Sequence, residues 1–199
     1  MAGATTRLLL IASAFVAGLA SVAALVLVVS GREPGAIATT ASAIGGPFRL
    51  IDQNGRSVSD QDFKGHPFLV FFGYTHCPDV CPTTLFEVSE IFGKLGPDAE
   101  RVAALFVTVD PERDTADKLK DYLSSFDPRL TGLTGDPAAI AVIAKEYRVY
   151  LKKVPTENGD YVMDHTALVY LMDKEGRFVA PFNLKRRPED AAADLRRYL

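Results

Sequence analysis

Apolar residues along this chain fall into three patterns, and each predicts a different kind of element. From Leu8 to Gly31 there is no charged residue, and the run is mostly Leu, Val, Ala and Ile. A helix of about 20 apolar residues crosses the core of a bilayer. A secretory signal has an apolar stretch of only about 7–15 residues, so residues 1–31 read as an uncleaved membrane anchor. Ala41-Ser42-Ala43 mimics a cleavage site but lies far past the run. Residues 32–46 are small and polar and read as a flexible tether. The folded domain is expected over 47–199.

Within that domain the runs are shorter. Asn54-Gly55 stands between alternating runs in 48–59 and predicts a hairpin, because both residues tolerate positive φ. Continuous apolar runs in 66–75 and 101–110 predict strands covered on both faces. Leu85, Val88, Ile91, Phe92 and Leu95 recur at helical spacing in 83–96. A second helix is expected over 114–126, capped by Asp114 or Thr115, and a third from Asp136-Pro137 to about Arg148. Residues 130–135 read as a short strand or loop. Asn158-Gly159 marks a second hairpin within 149–163. Strands follow at 166–173 and 177–183, and the last twelve residues look helical. Strands alternate with helices and the last two strands form a hairpin, so the fold class is α/β, a mixed sheet with flanking helices.

Composition changes this picture little. The chain is 48% hydrophobic and 24% charged, with a net charge of -3, which is ordinary for a globular domain. No Lys/Arg cluster suggests nucleic-acid binding. Charge near the apolar run does matter. Arg7 precedes it, while Arg32 and Glu33 follow and cancel. The positive-inside rule then favours a cytoplasmic amino terminus. The bulk of the chain lies on the other side, which in a bacterium is the periplasm. Two cysteines there are oxidised unless a metal or a reductant keeps them otherwise.

Both cysteines, Cys77 and Cys81, sit in "THCPDVCP", just past the carboxyl end of an expected strand and at the entrance to a helix. Sites in open α/β sheets favour that place. The helix N-terminus is expected to lower a cysteine pKa and favour the thiolate. Pro82 argues that regular helix begins at or after residue 82. Two thiolates suit a soft metal, and two cysteines are too few for an ordinary iron–sulfur cluster. A third ligand has three candidates. His66 precedes Pro67 and reads as capping a turn. His76 is too close to Cys77 to share an ion readily. His165 follows an acidic residue and precedes a core strand, which raises its standing.

"CPDVCP" at 77–82, "VTVDPERDT" at 107–115 and "DHTALVYLMD" at 164–173 resemble the Sco/SenC family of copper proteins, in order and in spacing. The resemblance covers about residues 45 to 199 and is strong for the three motifs together. It implies a thioredoxin-like fold, anchored in a bacterial or mitochondrial inner membrane. It implies copper held by Cys77, Cys81 and His165 and delivered to the binuclear copper centre of cytochrome c oxidase subunit II. Cys77 and Cys81 would also form the redox disulfide. A copper donor and a thiol reductant are the further partners implied. Asp110 matches an acidic position of the family, near the site and with no ligand role assigned, and Asp164 is read in two ways, as an acceptor orienting the His165 ring or as a side chain facing water. Tyr74 stands where the family has phenylalanine. In the fold implied, His165 takes the place of a cis-proline facing the cysteines; Pro155, followed by a turn, is set aside for that role.

Two further readings stay beside the chaperone. A thiol–disulfide oxidoreductase could reduce the copper-site cysteines of the oxidase, although three residues between the cysteines instead of two argue against it. A copper or redox sensor is not separable from a chaperone on sequence. The bias is towards a metal-transfer protein over an enzyme. Phe68, Phe71 and Phe72 read as core, Arg113 as a surface ion pair, and Lys152, Lys153, Lys185, Arg186 and Arg187 as solvated surface.

Overall fold

The computed structural model describes residues 44–199, with residues 3, 17–19 and 21–22. The expected anchor over 1–31 and tether over 32–46 thus lie almost wholly outside the described residues. Among those described, no helix is long and apolar enough to cross a membrane.

Seven strands form the main sheet: β1 (Arg49–Asp52), β2 (Ser57–Ser59), β3 (Phe68–Gly73), β4 (Ala103–Thr108), β5 (Leu130–Thr134), β8 (Val169–Met172) and β9 (Phe178–Pro181), in the order β2-β1-β5-β4-β3-β8-β9. A separate two-stranded sheet pairs β6 (Leu151–Pro155) with β7 (Tyr161–His165). The helices are α1 (Val80–Leu95), α2 (Ala116–Leu123), α3 (Pro137–Glu146) and α4 (Pro188–Leu195). This is the mixed α/β sheet expected. β3 runs parallel to β4, β4 parallel to β5, and β8 antiparallel to β3.

The unbroken apolar run of β3 has its cause in this order. Every residue from Phe68 to Gly73 is buried. Successive side chains alternate faces, so both faces must be dry. Phe71 meets Phe106, which in turn meets Tyr122 of α2, on one side. Phe72 meets Tyr147 and Tyr170 on the other. Phe68, Phe71 and Phe72 are core as expected, each at most 3% exposed.

Two local expectations need correction, at the start of α1 and at the start of β8. α1 begins at Val80, before Pro82. The first-turn N–H groups of a helix have no partner within it, so a proline there loses nothing. Residues 130–135, left open as strand or loop, supply the parallel strand β5 between β4 and β1. The strand expected over 166–173 starts only at Val169. Thr166 N–H instead donates to Tyr150 O at 3.0 Å and closes the base of the β6–β7 hairpin. His165 therefore ends β7 rather than opening the core strand. Pro155 sits on the exposed side of that hairpin, opposite Tyr161.

The β1–β2 turn shows how a buried charge is held. The Asp52 side chain is 1% exposed. It accepts the N–H groups of Asn54 and Arg56 at 2.8 and 2.9 Å and Arg56 Nε at 2.7 Å. Burial works to raise this carboxyl, but the Arg56 N–H, the guanidinium and the Asn54 N–H together outweigh it and hold the group below the usual range. A depressed folded-state pKa gives stability that is present above the unfolded value and lost as pH falls through the folded one. Asp52→Asn is expected to cost about 1–2 kcal/mol near neutral pH. The gap to wild type should narrow below roughly pH 4, as read by denaturant unfolding of both proteins at several pH values.

Candidate metal centre

Residues 74–79 leave the carboxyl end of β3 and turn into α1. Cys77 is half-buried in this loop, and Cys81 is fully buried in the first helical turn; both are free thiols. The Cys81 N–H donates to Cys77 Sγ at 3.4 Å. The helix terminus thus points an amide at the outer sulfur, as its unpaired N–H groups allow.

The inner sulfur behaves differently from expectation. Burial first, and then the hydrogen bond with Cys77, push the Cys81 thiol far above its ordinary range. Desolvation of a fully buried sulfur outweighs the partial charge at the helix end. As a free thiol, Cys81 keeps its proton at neutral pH.

Gly73 makes room for this sulfur. A Cβ on Gly73 would lie 2.8 Å from Cys81 Sγ and 2.6 Å from the Phe106 ring. No residue with a side chain fits there without displacing one or the other.

His165 comes from the far side of the sequence. Its Nε2 lies 3.9 Å from Cys81 Sγ, across a separation of 84 residues. Its Nδ1 is 3.1 Å from Thr166 O. A carbonyl can only accept, so Nδ1 carries the proton and the Nε2 lone pair is left facing the sulfur. The Tyr74 ring stands edge-on to the imidazole at 5.8 Å and 86°. Metal bonds of about 2.3 Å to sulfur and about 2.0 Å to nitrogen together exceed 3.9 Å, so one soft ion fits between these atoms with an ordinary bent angle. Among the described residues, no three His, Cys, Asp or Glu side chains stand at closed metal-cage distances. Cys81 is the shared member of two contacts, its N–H with Cys77 Sγ at 3.4 Å and its own Sγ with His165 Nε2 at 3.9 Å.

Asp164 does not orient the ring. It neighbours His165 on a strand, so its side chain points to the opposite face, and it is exposed. The Thr166 carbonyl takes the part expected of it. Asp110 is 1% exposed and touches neither sulfur nor imidazole directly. It accepts the Tyr161 hydroxyl at 2.9 Å and pairs with Arg113 Nε. Arg113 is no surface ion pair, with a side chain only 17% exposed. His76 is exposed, and its Nδ1 lies 3.3 Å from Thr75 Oγ1. The basic residues are largely ion-paired: Lys153 with Glu112, Lys185 with Glu87, Arg186 with Asp194 and Arg187 with Asp190.

One residue escaped the sequence reading. Asp114, considered only as a helix cap, is fully buried. It accepts Thr75 N–H at 3.0 Å, the Thr75 hydroxyl at 2.6 Å and the Thr108 hydroxyl at 2.7 Å. The cap of α2 is Thr115, whose hydroxyl accepts Lys118 N–H. Asp114 thereby ties the cysteine loop to the end of β4. Nothing in "RDT" separates a capping aspartate from a buried one.

A sheet of this order, with two thiols past its central strand and an imidazole brought in by a hairpin, defines a thioredoxin-like domain with a soft-metal or thiol-exchange site. The SCO1/SenC family model matches residues 37–199, and the chain belongs to that family. It is 40% identical over 154 residues to the mitochondrial protein SCO1 homolog 1 of Arabidopsis thaliana, a match covering 77% of this chain and 46% of that protein. A solved structure of Bradyrhizobium japonicum ScoI with copper bound is similar at 68% identity and a TM-score of 0.77, covering 79% of this chain and all of the other. BsSco, described as a Sco-family cytochrome c oxidase assembly protein with a disulfide switch, aligns at 26% identity and a TM-score of 0.61, covering 76% of this chain and 90% of its own.

Gly73→Ala tests the packing of the inner sulfur. We expect a loss of about 1–3 kcal/mol in unfolding free energy, with Cys81 more reactive to thiol reagents as its sulfur is displaced.

Proposed function

We propose that this chain is a copper-transfer protein, with Cys77, Cys81 and His165 holding the ion as cargo. The observation that carries the reading is the 3.9 Å approach of His165 Nε2 to Cys81 Sγ, made by residues 84 apart. Copper-bound relatives of the same fold support it. Thiolates favour soft ions, and imidazole suits copper in either oxidation state.

The three groups have unequal parts. Cys81, buried in the helix turn, and His165, fixed by Thr166 and Tyr74, form the inner holding pair. Cys77 is the more exposed sulfur, already receives an amide hydrogen bond, and is placed to exchange first with a donor or an acceptor. Loading displaces the Cys81 proton; a handover returns it. The acceptor proposed is the binuclear copper centre of cytochrome c oxidase subunit II, in keeping with the assembly role described for BsSco. A copper donor loads the site, and a thiol reductant keeps the pair open. An anchor over residues 1–31 in a bacterial inner membrane, with the domain in the periplasm, raises the effective concentration of the site near a membrane-bound acceptor.

A second reading, a thiol–disulfide oxidoreductase acting on the acceptor's cysteines, is favoured by the disulfide switch described for BsSco. One comparison separates the two. For the full-length chain with His165→Ala, the chaperone reading expects copper affinity to fall by about a hundredfold or more, since groups that merely support a ligand cost 10–100-fold. It expects little insulin-disulfide reduction from either protein. Strong reductase turnover that ignores the substitution would favour the second reading.

A further inference from the structure

His165 depends on a hairpin that has little to hold it. The β6–β7 pair forms no strand ladder with the seven-stranded sheet. Two strands alone are marginally stable in water, so side-chain contacts must set where β7 ends. At the base, Tyr150 N–H donates to Thr166 Oγ1 at 3.0 Å. Tyr161, Met163 and His165 alternate onto one face of β7, and Met163 is buried there at 8% exposure. A further grip is at the start of the strand, and the side chain of Arg113 supplies it.

Arg113 Nε pairs with Asp110, and its Nη1 donates to Asp160 Oδ1 at 3.2 Å and to Tyr161 O at 3.1 Å. Its guanidinium carbon lies 3.7 Å from the centre of the Tyr161 ring and 5.9 Å from that of Tyr74. The Tyr161 hydroxyl returns to the same carboxylate, Asp110, at 2.9 Å. The guanidinium therefore binds the backbone, the ring and the neighbour of the first residue of β7, and it reaches the tyrosine that abuts the His165 imidazole. Its Nη2 is buried without a hydrogen-bond partner. The planar cation stacks on aromatic faces as an ammonium does not. The outer pair, Lys153 with Glu112 at 2.7 Å, is exposed on both sides and holds little.

We infer that Arg113 is a positioning residue for the metal centre. It clamps the hairpin to the 110–114 segment and so keeps His165 Nε2 within reach of the Cys81 sulfur. The same segment holds the cysteine loop through Asp114, so one short stretch sets both sides of the site. The inference rests on His165 being a ligand, as proposed above.

The test uses the full-length chain loaded with Cu(II), comparing wild type with Arg113→Ala, Tyr161→Phe, His165→Ala and the Arg113→Ala/His165→Ala double variant. Arg113→Ala is expected to weaken copper binding on the order of tenfold and to reduce the nitrogen hyperfine splitting in the electron paramagnetic resonance spectrum. The thiolate-to-copper absorption should persist. Tyr161→Phe keeps the ring and loses only the hydroxyl; it should shift both readouts the same way by less, and it carries the test if Arg113→Ala fails to fold. In the His165→Ala background the arginine substitution should cost nothing more. Wild-type affinity and nitrogen signal in Tyr161→Phe and in any folded Arg113→Ala would overturn the inference, as would an undiminished arginine effect without the histidine. No loss in His165→Ala alone would instead remove the ligand assignment, and the inference with it.

Discussion

The position where a side chain on Gly73 would begin lies 2.8 Å from the Cys81 sulfur, and the arrangement of the site follows from that closeness. β3 is buried on both faces because β4 and β8 flank it and aromatic residues cover it. A strand so enclosed can end against a helix only if its last residue takes no space. With Gly73 there, the first turn of α1 drops onto the sheet and carries one thiol inside. The other thiol stays at the rim, four residues earlier. Depth, not sequence spacing, makes the two cysteines unlike.

That difference in depth decides the chemistry available to each. A thiol inside the sheet edge is costly to ionise, and burial raises the Cys81 thiol above its ordinary range. A positive ion removes that cost by pairing with the sulfur. With Cys81 assigned as a ligand, the inner sulfur becomes a thiolate when an ion replaces its proton. An exchange enzyme needs a reactive sulfur that attacks unaided; here only Cys77, half-buried at the loop, is placed to do so.

Much of this was legible beforehand, though unevenly. The continuous run of β3, the helical spacing of α1 and the hairpins at the two Asn-Gly pairs all appear in the chain, with positive φ at Gly55 and Gly159 but not at the asparagines. The approach of His165 to Cys81 was readable only through resemblance, since no periodicity brings residues 81 and 165 together. The buried network was not readable. Asp114 and Arg113 occur in a stretch that reads equally well as a solvated turn and helix cap. Their burial is a tertiary fact: Tyr161 of the β6–β7 hairpin covers Arg113, whereas Thr75, Thr108 and Thr134 enclose Asp114. Of the two readings open for Asp164 the structure takes the solvated one, because adjacency in sequence puts neighbours on opposite faces of a strand. The start of α1 was placed late because a proline is harmless where amides are unpaired anyway.

The split origin of the three groups has a thermodynamic consequence. The thiols belong to the main sheet and helix, whereas the imidazole belongs to a hairpin that the sheet does not hydrogen-bond. With the ligands assigned as above, an ion spanning that divide is a cross-link closing a loop of 84 residues. Any ligand that binds only the folded chain stabilises it in proportion to its occupancy. The laden form is then the tauter one, and surrendering the ion relaxes the very element that had gripped it, which biases a delivered protein against taking its cargo back.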